Sequence, residues 1–197
     1  MGHASLRIVT GEGKVIYVDP FSGSDYDMTA DLILQTHDHF DHNVLSKITS
    51  RADDCELITQ KEALAGGEYQ NFDLGYVQVE AVEAYNANHY KLTSVGYILR
   101  FPNEVSVYIS GDTSTTDQMA TLAEEKLDYA FYCCDGVYNM DPVEAAACAE
   151  LVGAKVNIPY HTGDASKTDF DADNAALFAP AGAKILKPGE ELLLSKP

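Results

Sequence analysis

Short apolar runs alternate with polar, glycine-bearing breaks along most of the chain, and only a few stretches carry helical spacing. Residues 6–10 and 14–19 flank Gly11-Glu12-Gly13, which reads as two strands joined by a hairpin turn. Residues 31–36 form a third strand with its apolar centre at Leu32-Ile33-Leu34. Residues 44–50 read as a short helix, 56–59 as a strand and 61–65 as a helical turn. Residues 76–82 alternate, with Val77, Val79 and Ala81 on one face. The strands 95–101 and 105–110 are separated by Pro102-Asn103-Glu104, a second hairpin. A helix over 116–126 and a strand over 129–133 follow.

The best-signalled helix spans 141–153. Asp141 is a natural N-cap, Pro142 suits the first helical position, and Glu144 supplies a capping-box carboxylate. Val143, Ala146, Ala147 and Leu151 make its apolar face, and Gly153 ends it. Residues 155–160 form a strand that stops at His161, 172–179 a helix and 184–187 a last strand. Many strands, antiparallel hairpins and scattered helices predict an α+β fold of two sheets with helices outside. The 197 residues form one domain, 1–197, with neither a repeat nor a linker. The first strand begins almost at Met1, so we expect it to be clipped or to lack a few upstream residues.

Composition narrows the partners. Thirteen basic against 31 acidic residues give a net charge of −18, and no basic run exists, which argues against nucleic acid. No stretch approaches a membrane span. The N-terminal residues lack a basic segment followed by an apolar one, so the expected location is cytoplasmic. Four cysteines without C-x-x-C spacing fit a reducing compartment and buried packing.

The chemistry concentrates at His37-Asp38-His39-Phe40-Asp41-His42, an H-x-H-x-D-H run holding half of the six histidines. Imidazole nitrogen and carboxylate oxygen are ligands for zinc, manganese, iron and nickel. His89, Asp112 and His161 sit in three further loops, and all four segments follow predicted strand ends. Strand ends on one rim of a sandwich are where a site is assembled from distant segments.

With Gly2-His3, Val18-Asp19-Pro20-Phe21, Gly111-Asp112-Thr113, Tyr138-Asn139-Met140-Asp141-Pro142 and Pro159-Tyr160-His161, these residues resemble the metallo-β-lactamase superfamily. Within it the chain is most similar to the small metal-dependent hydrolases that include the ascorbate-6-phosphate lactonase-like proteins. The resemblance runs from residue 2 to residue 161 and implies a four-layer αβ/βα sandwich with the site at one edge. It implies two divalent metal ions, zinc foremost. His37, His39 and His89 would hold the first, Asp41, His42 and His161 the second, and Asp112 would bridge them. Two cations sharing a water lower its pKa enough to give hydroxide near neutral pH, and Asp41 orients that nucleophile and accepts its proton.

The expected function is therefore hydrolysis of a small ester, lactone or phosphoester. Phosphodiesterase or nuclease chemistry and a non-catalytic metal-dependent binding role are the alternatives. Flavodiiron-type redox chemistry needs a flavin domain and a further carboxylate that the chain lacks. Relatives often assemble, so a homo-oligomer is expected. Supporting roles fall to Asp19, as a hydrogen-bond partner of a ligand imidazole, and to His3, at the pocket or beside a ligand. Tyr138 is a candidate substrate donor, and Lys91, the one cation beside a ligand, reads as a solvated lysine rather than a contact for an anionic substrate.

Overall fold

The computed structural model describes residues 1–197 as two facing β-sheets. The smaller sheet has the order β1 (Leu6–Val9), β2 (Val15–Val18), β3 (Ala30–Leu34), β4 (Arg51–Ile58). Its first pair is antiparallel, Leu6 opposite Val18, and the next two pairs are parallel. Gly13 closes the hairpin at φ 84°, with its N–H on the Thr10 carbonyl, a backbone state open to glycine at no steric cost. The larger sheet contains β5 (Asn71–Asp73), β6 (Gln78–Glu83), β7 (Val95–Arg100), β8 (Ser106–Ile109), β9 (Tyr129–Cys133) and β10 (Val156–Tyr160). They lie in sequence order across the sheet, antiparallel from β5 to β8 and parallel from β8 to β10.

The core lies between the sheets and beneath a helix. Ile16, Val18, Leu32 and Leu34 meet Tyr97, Leu99 and Val107 in one cluster, which continues to Ala145, Cys148 and Val152 of α2 (Pro142–Val152). The other face of β2 and β3, through Val15, Tyr17 and Ile33, is covered by Tyr26 and Ile48. The outer layer over this smaller sheet is therefore a loop and a 3-10 turn. Two further short helices are α1 (Gln60–Ala63) and α3 (Ala172–Leu177). No helix is long and apolar enough to cross a membrane.

Several local expectations change. The helix expected at 44–50 is a single 3-10 turn, Leu45–Lys47. The one expected at 116–126 splits into two 3-10 turns, Asp117–Ala120 and Leu122–Glu125. Met119 and Leu122, three apart, are their buried anchors, a spacing that suits three residues per turn. Strand β5 is an addition, and residues 184–187 form no strand; the one bridge nearby joins Asn157 to Ala183. Helix α2 has the expected caps: Asp141 accepts from the N–H groups of Val143 and Glu144, and Gly153 ends it at φ 68°. Glu144 does not close a capping box but accepts from Thr115 N and Oγ1. The buried face is Pro142, Ala145, Cys148, Ala149 and Val152, while Val143 and Leu151 are exposed. Only Glu144 and Glu150 interrupt an otherwise apolar helix, so its pattern cannot fix the face and the underlying sheet does.

Candidate metal centre

Five strands running the same way in their sheets deliver the site residues at their C-terminal ends. Asp19 follows β2, the 37–42 run follows β3, Asp112 follows β8, Asp135 and Asn139 follow β9, and His161 follows β10. His89 enters from the β6–β7 loop. Gly111 makes the turn before Asp112 possible: at φ 63° a Cβ there would lie 2.5 Å from the Val95 carbonyl oxygen. His3, Asp19 and His161 all hold positive φ, at 55°, 45° and 45°. Such conformations cost about 1–3 kcal/mol each for non-glycine residues and persist where surrounding contacts over-determine them.

The side chains converge on one carboxylate. Asp112 Oδ2 lies 3.3 Å from His161 Nε2, 3.4 Å from His89 Nε2, 3.5 Å from His42 Nε2 and 4.0 Å from His37 Nε2. Three groups of candidate donors result: His37 with His39 and His89; Asp41 with His42, His161 and His3; and His37, His42 and Asp112 between them. Except for His39 and Asp41, these residues are buried.

The opposite nitrogens are tied down. Thr36 Oγ1 donates to Asp19 Oδ2 (2.8 Å) and accepts from His37 Nδ1 (2.9 Å). His42 Nδ1 donates to the same Asp19 oxygen at 3.0 Å, and Asp19 Oδ1 accepts from Thr36 N. His89 Nδ1 donates to Asn86 Oδ1 at 2.9 Å. With each Nδ1 committed to these acceptors, Nε2 is the ring nitrogen turned toward Asp112. His37 Nε2, His42 Nε2, His161 Nε2 and Asp112 Oδ1 are buried without any hydrogen-bond partner. Buried polar atoms are normally paired. An inward ring of bare imidazole nitrogens and carboxylate oxygens is the donor set of a divalent metal ion, so the residues fit such an ion.

The local field favours positive charge. Burial lowers the His42 pKa, but Asp112 and Asp19 outweigh it and raise it well above the ordinary value. His161 is raised in the same way, chiefly by Asp112. Burial pushes Asp112 up, yet His161 and His42 hold it well below the usual carboxylate range. His37 and His89 are lowered, mainly by burial.

A family model described as the beta-lactamase superfamily domain matches residues 1–161. A UPF0173 metal-dependent hydrolase from Myxococcus xanthus is 30% identical over 191 residues, covering 82% of this chain and 68% of that protein. The chain belongs to the metallo-β-lactamase superfamily, among its UPF0173 metal-dependent hydrolases. A hydrolase of the same name from Rubrobacter xylanophilus is 26% identical over 227 residues and covers 98% of this chain and 94% of that protein. A solved protein from Parabacteroides distasonis, assigned as a metal-dependent hydrolase, superposes with a TM-score of 0.74 at 28% identity, covering 93% and 89% of the two chains. Igni18, a metallo hydrolase from Ignicoccus hospitalis, shares the fold at 21% identity, with a TM-score of 0.71 and coverage of 96% and 94%.

The seven residues singled out from the sequence of this superfamily member thus come together, and two supporting residues acquire partners. Asp19 touches His42 and, through Thr36, His37. His3 Nε2 lies 3.2 Å from Asp41 Oδ2, and its ring packs against His161 at 3.7 Å between centroids. Tyr138 has its side chain more than half exposed, while its carbonyl accepts from Asn86 and Asn88. Lys91 is half exposed, pairs with Glu83 and lies over the Tyr85 ring.

Sequence reasoning missed Thr36, Asn86, Asp135 and Asn139. Asn139 Nδ2 donates to Asp112 Oδ2 (2.9 Å) and Asp135 Oδ2 (2.7 Å), and its Oδ1 accepts from Asn86. Asp135 Oδ2 in turn faces His161 Nδ1 at 3.5 Å. The hints in the sequence were position, each lying within a few residues of a strand end, and for Asn139 its place in the Tyr138–Pro142 stretch that carries the resemblance.

Proposed function

We propose that this superfamily member is a dinuclear metal-dependent hydrolase of a small ester, lactone or phosphoester. The observation carrying this reading is the Asp112 carboxylate, faced by four imidazole Nε2 atoms within 4.0 Å. His37, His39 and His89 would hold one divalent ion, Asp41, His42 and His161 the other, with Asp112 shared. A nitrogen- and oxygen-rich set without thiolate suits zinc first, and also manganese, iron or nickel. When bound, such ions supply a water acidic enough to react as hydroxide near neutral pH, and a Lewis acid for the developing oxyanion.

The chain's own residues do the remaining work. The His3 contact at Oδ2 fixes the Asp41 carboxylate, which would hold its ion and, beside it, orient the attacking water and take its proton. Hydrolysis breaks the acyl–oxygen bond, and that proton passes to the departing alkoxide, giving a carboxylic acid and an alcohol. Thr36, Asp19 and Asn86 keep the ligand imidazoles in one tautomer, so nothing need reorganise at the moment of reaction. His39 and Asp41 are the accessible members of the set, and they mark the side from which substrate enters. The lack of a basic run supports a small molecule over RNA. Likeness to the ascorbate-6-phosphate lactonase-like proteins favours an ester or lactone over a phosphodiester.

The test is turnover of para-nitrophenyl acetate, γ-butyrolactone and bis(para-nitrophenyl) phosphate by the metal-loaded protein and its His39→Ala variant. We expect hydrolysis of the ester or lactone, reduced by about 100-fold in the variant. A metal-loaded protein that turns over none of the three would overturn the reading.

A further inference from the structure

Two segments that carry candidate ligands, and a third that hydrogen-bonds to one, also carry large apolar side chains turned to solvent. Phe40 lies between His39 and Asp41, Tyr90 directly follows His89, and Val137 and Tyr138 precede Asn139. Leu92 lies two residues beyond Tyr90. Each of the five is more than half exposed. Such side chains are usually scattered singly, whereas a contiguous exposed apolar patch marks a binding surface. Here they occur on loops that meet at one centre. The His39 and His89 rings are 4.8 Å apart, and the 135–139 loop is tied to Asn86 and Asp112. Phe40 and Tyr90 are the exposed chain neighbours of His39 and His89, and the Phe40 ring packs edge-on against Phe21.

Two lysines near these loops are paired at the surface, Lys91 with Glu83 and Lys167 with Asp164. A remote phosphate or carboxylate on a substrate would compete with those carboxylates for them. An apolar or aromatic arm would meet Phe40, Tyr90 and Tyr138.

We propose that Phe40, Tyr90 and Tyr138 select an ester or lactone bearing an apolar or aromatic arm, which packs on this rim while the carbonyl sits at the metal centre. This rests on the hydrolase reading above and adds the substrate class to it. The rim binds but does no chemistry, so its signature is a dependence on the arm.

Two measurements on the metal-loaded full chain separate this proposal from the one it rests on. The first is kcat/KM for para-nitrophenyl acetate against the hexanoate. Each fully buried methylene is worth about fourfold, so a half-buried four-methylene arm should raise kcat/KM roughly tenfold. In the double variant Phe40→Ser/Tyr90→Ser that ratio should fall to near one with metal content retained. The second measurement needs no turnover: affinity for the product-like acids acetate and phenylacetate, by calorimetry. Phenylacetate should bind roughly tenfold tighter to the natural chain and no tighter to the double variant. Turnover without arm dependence, together with equal affinity for the two acids, overturns the rim proposal and leaves the hydrolase standing. Arm-dependent acid binding without turnover of any ester does the reverse. A dimer in light scattering that the double variant splits would also overturn the proposal, by showing that a second copy covers these side chains.

Discussion

Substituting Asp19 by asparagine is the change whose consequences the geometry specifies most fully. Asp19 is completely buried, and its Oδ2 receives both the Thr36 hydroxyl and His42 Nδ1. In Asp19→Asn an amide NH2 replaces that oxygen and reverses both bonds. The Thr36 hydroxyl must then accept from the new amide and donate to His37 Nδ1 rather than accept from it. His42 Nδ1 must likewise become an acceptor. The protons of His37 and His42 move to Nε2, the atoms that face Asp112. After that switch most groups regain partners, so the metal-free fold loses only about 1–2 kcal/mol. The cost falls on metal binding. Restoring the Nε2 lone pair forces an N–H against an N–H, an unsatisfied buried donor worth about 1–3 kcal/mol, or roughly 5- to 150-fold in affinity. On the two-ion proposal, one substitution remote from the ions should thus weaken both of them, because His37 belongs to one donor group and His42 to the other. Zinc competition against a chromophoric chelator, alongside urea unfolding of the metal-free protein, measures the two effects separately. Affinity within about twofold of the natural chain in a folded variant would refute the tautomer argument.

Other consequences follow from single contacts. Asn139→Ala removes the donor shared by Asp112 and Asp135 and should weaken metal binding by about 10-fold, read by the same competition. Gly111→Ala places a methyl carbon 2.5 Å from the Val95 carbonyl oxygen at φ 63°, and should destabilise the fold by about 2 kcal/mol or more in urea unfolding. Burial raises the Asp128 pKa, but Lys155, Lys196 and Ser106 more than offset it and hold the carboxyl below its ordinary 3.8. A lowered pKa contributes stability that is present above 3.8 and fades as pH falls through the folded value. Asp128→Asn should therefore cost about 1–3 kcal/mol at neutral pH, and unfolding curves should show its gap from the natural chain closing below pH 3.8. A gap that stays constant across that range would contradict the assignment.

The candidate ligand cluster was legible because its chemistry is dense and local: H-x-H-x-D-H needs no tertiary information, and His89, Asp112 and His161 each follow or join strands with clear apolar patterns. The hairpins and the caps of α2 were legible for a similar reason, since turn and cap residues act within four positions. The residues that orient the imidazoles were not. Thr36, Asn86 and Asn139 are single polar side chains in loops, and nothing in their spacing distinguishes a partner of a ligand from an ordinary turn former. The buried face of α2 escaped as well, because a helix apolar on nearly every side takes its orientation from the sheet it covers. The 3-10 turns around Met119 and Leu122 replaced a predicted helix because tertiary burial of two side chains outweighed local propensity. Lys91 kept the exposed place expected of a solvated lysine, and only its partner, Glu83 at the end of β6, needed the structure.

The central claim is that Asp112 sits between two ions, and metal stoichiometry tests it most directly. Protein purified without a polyhistidine tag, with an Asp112→Ala variant beside it, would be measured by plasma mass spectrometry after loading and dialysis. The account predicts about two transition-metal ions per chain in the natural protein, falling well below one in the variant. Near-zero metal in the natural chain after reconstitution, or an undiminished pair in the variant, would contradict it.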